Sequence, residues 1–316
     1  MIQIDGLDAG LEIFKVLGSD VRMKIIELVS HSDGMNLNEL AAALKITNGA
    51  VTSHVRKLEE AGIINVEMRQ TAHGKQKICT LREDQLLLNE SSSSREANTK
   101  IYETEVNIGL YSDYAAGPVC GLAGREKMIG MENDPRVFAY PERVEAEMLW
   151  LRDGFVEYRI PNLLPEGQRI VQLTLSFEIS SAVMGEPDGK ASFVRFFLNG
   201  FNIGQWETIV NTNSSRGIYT PAWWDRTRCQ HGYLKMIVLN NAGVFLDGVR
   251  MGPIGPDWDS LDSQGEMKLR FEVASPEGAD GGMALYGTNF GNYKQSIRAR
   301  VHYMPEEAWH GFTNEI

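Results

Sequence analysis

Leu37 to Ile64 reads LNELAAALKITNGAVTSHVRKLEEAGII, and the spacing of its apolar residues decides the fold of the N-terminal part of the chain. Asn36 or Asn38 caps a helix whose Leu40, Ala43 and Leu44 fall at helical spacing. Thr47 caps a second helix after a turn of only a few residues. A step of about 100° per residue puts Val51, Val55 and Leu58 on one face of the second helix. Gly49, Ser53, Arg56 and Glu60 point the opposite way, flanked by Thr52 and Lys57. Short polar residues in the first turns followed by basic ones suit the DNA major groove, because small side chains let the backbone approach base edges. The stretch predicts a helix-turn-helix in which Arg56 and Lys57 reach guanine or phosphate.

Working outward, Ala61-Gly62 ends the helix. Ile63 to Val66 and Ile78 to Leu81 then read as two short strands around MRQTAHGKQK, a wing whose tip offers Arg69, His73, Lys75, Gln76 and Lys77. Upstream, Leu7, Leu11, Phe14 and Leu17 form one helical stripe, and Ser19 or Asp20 caps a helix through Val21, Ile25, Ile26 and Leu28. The chain has 316 residues and a formal charge of −11, an unpromising sign for a nucleic-acid binder. Residues 45–82, however, hold seven Lys and Arg against three Glu, a local +4. Affinity for a polyanion responds to charge at the contact surface, so a basic helix and wing can work beneath an acidic body.

SDVRMKIIELVS (19–30) and TNGAVTSHVRKLEEAGII (47–64) resemble the second and recognition helices of ArsR-like winged-helix repressors. The resemblance implies that Thr47, Asn48, Thr52, Ser53, His54 and Arg56 contact or line an operator, with Gly49 among them but departing from the residue commoner there. It also implies a homodimer, which would read an inverted-repeat operator with half-sites about one DNA turn apart. Many of these proteins sense metals through a Cys pair on the helix before the recognition helix, yet here that helix reads ELAAAL. Cys79, Cys120 and Cys229 are widely separated, and His31, His54, His73, His231, His302 and His310 form no short ligand pair, so no metal and no other cofactor is predicted. Scarce cysteine, no signal peptide and no apolar run of membrane-spanning length predict a cytoplasmic protein without membrane contact.

Glu83 to Lys100 includes NESSSSREANTK, a polar run that marks a boundary. The predicted division is a winged helix over 1–90, a connector over 91–100 and a second domain over 101–316. Leu86, Leu87 and Leu88 pack either on the first helix of a partner subunit or on their own domain.

Beyond the boundary the period changes to two. Val171, Leu173, Leu175, Phe177 and Ile179 alternate with Gln172, Thr174, Ser176, Glu178 and Ser180, which predicts a strand with one core face and one wet face. Further β-rich runs occur at 102–110, 155–160, 193–198, 233–239, 267–273 and 296–303. Asn199-Gly200 and Asp247-Gly248 read as tight hairpin turns. Pro141 to Leu149 is the one helix candidate. The expected class is α+β multidomain, a winged helix-turn-helix followed by an antiparallel β-sandwich. NDPRVFAYPER, TPAWWDRTR and GGMALYGTNFGNYKQ resemble the jelly-roll ligand domains of some ArsR-like regulators, and FFLNGFNIGQW is similar to strands of galactose-binding and carbohydrate-binding sandwiches.

A sugar presents C–H faces that stack on aromatic rings and hydroxyls that need planar polar partners. Arg195, Trp206, Arg216, Tyr219, Trp223, Trp224 and Asn289 supply that mixture, with Trp258, Asp225, Arg226 and Asn292 near them, and predict a small saccharide effector. For any individual residue of this set a core or rim-covering position is at least as good a reading. Asp257, Asp259, Asp262 and Glu266 do not match an EF-hand loop and read as a solvated acidic loop rather than a calcium site. No phosphate loop, metal-binding His pair or nucleophile elbow is present, so no enzyme is expected. The sequence thus predicts a one-component repressor that binds double-stranded DNA and is modulated by a saccharide, closure on the Trp223-Trp224 loop altering packing near the connector. The alternative is a carbohydrate-binding or glycoside-processing sandwich whose winged helix is incidental or binds protein.

Overall fold

A computed structural model describes residues 2–5, 7–30, 32, 34–71, 74–82, 86–89, 99–181, 191–209, 216–252, 261, 265–273 and 281–309. His31, His73, His310, Trp258, Asp257, Asp259, Asp262 and most of the connector lie outside the described residues. The chain divides into two compact units, Met1–Ala97 and Asn98–Ile316.

The first unit runs β1 (Ile2–Asp5), α1 (Leu7–Leu17), α2 (Asp20–Ser30), β2 (Met35–Asn36), α3 (Leu37–Leu44), α4 (Asn48–Glu60), β3 (Ile64–Thr71), β4 (Gly74–Leu81) and β5 (Leu86–Asn89). Of the two capping candidates, Asn36 is the one used. Its Oδ1 accepts from the amides of Asn38 and Glu39 while Glu39 returns a carboxylate to the Asn36 amide, a reciprocal capping box. Thr47 caps α4 through the Ala50 amide at 3.3 Å. At the other end of α4 the amides of Gly62 and Ile63 return to the carbonyls of Glu59 and Leu58, with Gly62 at φ 73°. That pairing is a Schellman stop, and its left-handed residue explains the glycine. Leu40, Val51, Val55 and Leu58 are buried with Ile25, Val29, Ile63, Ile64 and Cys79. Ala43, placed by spacing on the apolar face, is exposed, and Ala41 packs on this core instead. The wing strands are longer than predicted, pairing from Ile64↔Leu81 out to Thr71↔Gly74. Leu86 to Leu88 enter a parallel pair with β1 of the same chain.

The second unit contains β6 (Lys100–Val106), β7 (Tyr111–Ala116), β8 (Cys120–Gly124), β9 (Met128–Ile129), β10 (Ala146–Leu151), β11 (Gly154–Pro161), β12 (Gln168–Ser180), β13 (Ala191–Leu198), β14 (Phe201–Ile209), β15 (Tyr233–Asn240), β16 (Gly243–Leu246), β17 (Val249–Gly252), β18 (Glu266–Val273), β19 (Met283–Tyr286) and β20 (Ile297–Pro305). Its pairings are all antiparallel among the described residues. One sheet of ten strands is ordered β17-β16-β15-β12-β19-β10-β8-β9, with β20 beside β12 and β6 beside β20. The other sheet has five strands, β14-β13-β18-β11-β7. Phe177 of β12 meets Phe271 of β18 at 4.7 Å and Phe196 of β13 at 5.5 Å between ring centroids, so the two sheets share one apolar core. Asn199 and Asp247 stand at φ 50° and 49°, each followed by a glycine with positive φ, as the two hairpin turns require.

Three expectations are corrected. Pro141 to Leu149 is not a helix, because a 3₁₀ turn at Pro141–Glu145 gives way to β10. AEMLWL is an apolar run buried on both faces, whose side chains a solvent-facing helix could not cover. The predicted strand 102–110 ends at Val106, and Ile108–Leu110 is a 3₁₀ turn. Finally, the wet face of β12 is wet only in its first half. Ser176, Glu178 and Ser180 are buried, and a bulge between Ile170 and Gln172 puts Ile170 rather than Val171 in the core.

What covers that face is a second apolar cluster containing Met148, Trp150, Trp224, Cys229, Tyr286 and Phe290. Glu178, at 0% exposure, holds the covering loops down. It accepts from the amides of Gly232 (2.8 Å), Asn292 (2.9 Å) and Tyr293 (2.9 Å). Gly291 is glycine because a Cβ there would lie 2.3 Å from the Glu178 Oε1. All six tryptophans lie in this unit, so their fluorescence reports its unfolding alone. Glu178→Ala leaves three amides without their acceptor, those of Gly232 and Tyr293 in buried bonds, and is expected to destabilise the unit by about 3 kcal/mol in urea titrations, with Glu178→Gln intermediate. An unchanged midpoint in Glu178→Ala would refute the clamp.

Candidate nucleic-acid interface

The outward surface of α4 is set by its apolar face. With Val51, Val55 and Leu58 buried, Thr52, Ser53, Arg56 and Lys57 are left exposed, and Asn48 and Gly49 are exposed in the first turn beside the cap residue Thr47. Nothing lies within 4 Å of where a Cβ would stand on Gly49, so the start of the helix offers a flat approach. Three polar side chains there are oriented by internal bonds. Asn48 Nδ2 donates to Asn38 Oδ1 of α3 at 2.7 Å, Thr52 Oγ1 donates to the Asn48 carbonyl at 2.8 Å, and Arg56 Nε donates to Glu60 Oε1 at 2.7 Å. The carboxylate of Glu60 raises the Arg56 pKa further above neutrality, so the guanidinium stays charged.

His54 differs from its neighbours. It is half-buried, its Nδ1 has no hydrogen-bond partner, and burial followed by the positive charges of Arg22 and Lys57 lowers its pKa. Among the residues assigned to the operator it is the one that is not fully exposed. Sequence spacing did not single out Arg22, which is buried and donates to the carbonyls of Val16 and Lys15, tying α2 to the end of α1.

The wing cations are split. Cross-strand partners share a face, and the register pairs Lys75 with Gln70 and Lys77 with Met68, while Arg69 pairs with Gln76 on the other face. Lys75 and Lys77 are exposed; Arg69 lies 3.5 Å from Glu67, and Gln76 accepts from Asn36 at 3.0 Å. The basic edge presented by the wing is therefore Lys75 and Lys77, two residues apart on one strand.

In the second unit the predicted ligand residues fall into two groups. Arg195 and Trp206 belong to β13 and β14, Arg195 within 3.8 Å of Glu272, and Trp206 only 8% exposed beneath Lys235. The others gather on the loops over β12. Trp224 is 2% exposed, donates to the Cys229 carbonyl and packs edge-on against Trp150 and Phe290, which takes its ring away from a stacking ligand. Asn289 is engaged twice by Glu147, at 2.8 and 3.0 Å, and Arg216 donates to the carbonyls of Thr220 and Pro221. Trp223 remains 37% exposed. Its indole is pinned by a 2.7 Å bond from Nε1 to the Arg125 carbonyl and by edge contacts with Trp224 and Phe290, and Tyr219 is exposed on the same loop. The adjacent tryptophans thus divide the work, one in the core and one at the rim.

Burial pushes the thiols of Cys79 and Cys120 up to about 11 and raises that of Cys229, so each is a protonated core residue near neutral pH. Among the described residues no group of three His, Cys, Asp or Glu is placed to hold a metal, and no helix is long and apolar enough to cross a membrane.

No curated protein sequence matches the chain. Among solved structures it is similar to reduced HlyU from Vibrio cholerae, at 17% identity over 24% of this chain and 74% of that one, with a TM-score of 0.21. It is similar to the homodimeric winged helix-turn-helix DNA-binding domain Mb0332 from Mycobacterium bovis, a possible ArsR-family regulator, at 15% identity over 25% and 68%, TM-score 0.22. A third likeness is to peanut lectin, at 10% identity over 66% and 98%, TM-score 0.24. The family model of the helix-turn-helix domain matches residues 17–67, the span that runs from the end of α1 through α2, α3 and α4 into β3.

Proposed function

We propose that the protein is a DNA-binding transcriptional regulator, a one-component repressor without catalytic activity, whose second unit is a jelly-roll sandwich that binds a small saccharide. The observation that carries the DNA-binding part is the solvent face of α4. Its capped helix leaves Asn48, Thr52, Ser53, Arg56 and Lys57 exposed within a helix-turn-helix match and beside a hairpin bearing Lys75 and Lys77. A helix of this kind docks in the major groove while the hairpin reaches the flanking backbone. The protein acts as a homodimer on an inverted repeat, which the apolar residues left exposed on the first unit support: Leu11 of α1 is 51% and Leu86 of β5 is 40% exposed.

The effector part rests on Trp223. An exposed indole fixed from three sides can stack on a sugar ring without losing rotamer freedom, which lowers the entropy cost of binding. Tyr219 widens the platform. Such a ligand releases DNA only if it binds the DNA-incompetent state of the dimer more tightly than the competent one.

Selection of the full-length protein against a randomised double-stranded DNA library, followed by titration on the enriched duplex, tests the first part. Arg56→Ala is expected to weaken the selected duplex by about 1–3 kcal/mol and to relax one base position. Lys75→Ala is expected to weaken all sequences alike and to lower the salt slope by about 1. Wild-type affinity for the enriched duplex in both variants would refute the placement of helix and wing. For the second part, a saccharide that raises the thermal midpoint of the wild type at a concentration of about 100 times Kd, near 2.7 kcal/mol of stabilisation, should leave Trp223→Ala unmoved. An equal shift in both proteins would rule out the platform.

A further inference from the structure

Asn48, Thr52, Arg56 and Glu60 stand four residues apart, so they form one stripe along the exposed side of α4. The last member is out of place by two local rules. Glu60 is the final residue of α4, where the carbonyl end of the helix disfavours a carboxylate, and its side chain is 59% exposed on the surface that a phosphate backbone would approach. Its side chain contributes nothing to the apolar core of the unit that would offset either cost. What it does is take the Arg56 Nε, at 2.7 Å.

We infer that Glu60 is a specificity-determining positioning residue, which holds the Arg56 Nε so that the terminal Nη pair is presented to a guanine edge. The inference rests on the DNA-binding reading of α4. A guanidinium has five N–H donors in a planar fork. Engaging Nε leaves the four on Nη1 and Nη2, the pair whose geometry matches O6 and N7 of guanine. In the free protein the pair is exposed, with side chains 76% and 59% accessible, so it holds Arg56 by only about a factor of two. At a DNA interface water is excluded and the same pair strengthens, so the orientation is enforced where it matters. Glu60 also repels phosphates, which weakens every sequence alike. A residue that lowers general affinity while sharpening one contact acts on discrimination rather than on strength.

The test repeats the randomised-duplex selection with full-length wild type, Glu60→Gln and Arg56→Ala, each checked for an unchanged melting profile. The wild type is expected to enrich a fixed guanine in each half-site that Arg56→Ala no longer selects. Glu60→Gln should bind unselected DNA several-fold more tightly, because one negative charge is gone, while its preference for that guanine falls about tenfold. A merely structural glutamate would not move these two readouts in opposite directions. If Glu60→Gln keeps the guanine as sharply as wild type, or if Arg56→Ala still selects it, the positioning role is wrong and the DNA-binding reading survives. If the wild type enriches no sequence, both fail together.

Discussion

A carboxylate with no access to water stays in a protein interior only where hydrogen bonds replace the hydration it has lost. Glu178 meets that condition with main-chain amides from two separate segments, Gly232 on one and Asn292 and Tyr293 on the other. The bond lengths matter less than what they join. The same two segments are also tied to each other, Tyr219 to Gly291 and Ile218 to Asn292, so they form a single lid over the outer face of β12, β19 and β10. Under that lid Trp224 and Phe290 find Trp150 and Tyr286, and above it Trp223 is held at the surface. The position of Trp223 therefore depends in part on one buried carboxyl group hydrogen-bonded to both segments.

The first unit is organised differently, by short-range rules. Asn36, Thr47 and Gly62 set the ends of α3 and α4 within a few residues of themselves, and each does so through the bonds that its residue type is suited to make. Once the ends are fixed, the phase of α4 is fixed, and with it the direction of Arg56. One rule is broken: Lys45 takes the left-handed position between the two helices at φ 56°, a place that glycine or asparagine usually fills. The residue cost is small, on the order of 1 kcal/mol, and Lys45 stands two residues before the Thr47 cap of α4.

This difference explains what could be read from the amino acids alone. Caps, stops, the wing and the Asn-Gly and Asp-Gly hairpins are local, so their signals sit in a few adjacent letters. The buried half of β12 is not local. Ser176, Glu178 and Ser180 look like a solvent face until the segments around residues 217–232 and 287–296, up to more than a hundred residues away, are laid over them. AEMLWL looked like part of a helix because proline opens the segment and a run of apolar residues has no period to distinguish a core strand from a core helix. Trp223 and Trp224 were legible as a pair, but which ring is core depends on Phe290 and Trp150. The resemblance places His54 among the operator residues, while its partial burial and lowered pKa depend on neighbours outside its own segment, Arg22 among them.

Charges on a solvated surface act over about one Debye length, roughly 10 Å at 0.1 M salt. A net −11 spread over the chain therefore does not cancel the +4 concentrated between residues 45 and 82. Within that segment, Glu59, Glu60 and Glu67 sit among the very cations that would face DNA, and Arg56 and Arg69 are each paired with one of them. Lys75 and Lys77 are exposed on one face of the wing, and in the proposed complex they would supply attraction that every sequence shares. A surface built this way gains little from non-specific contact, since part of its positive charge is already answered internally. On the proposed reading it gains most where a base edge offers Arg56 what Glu60 cannot, two acceptors in the plane of the guanidinium.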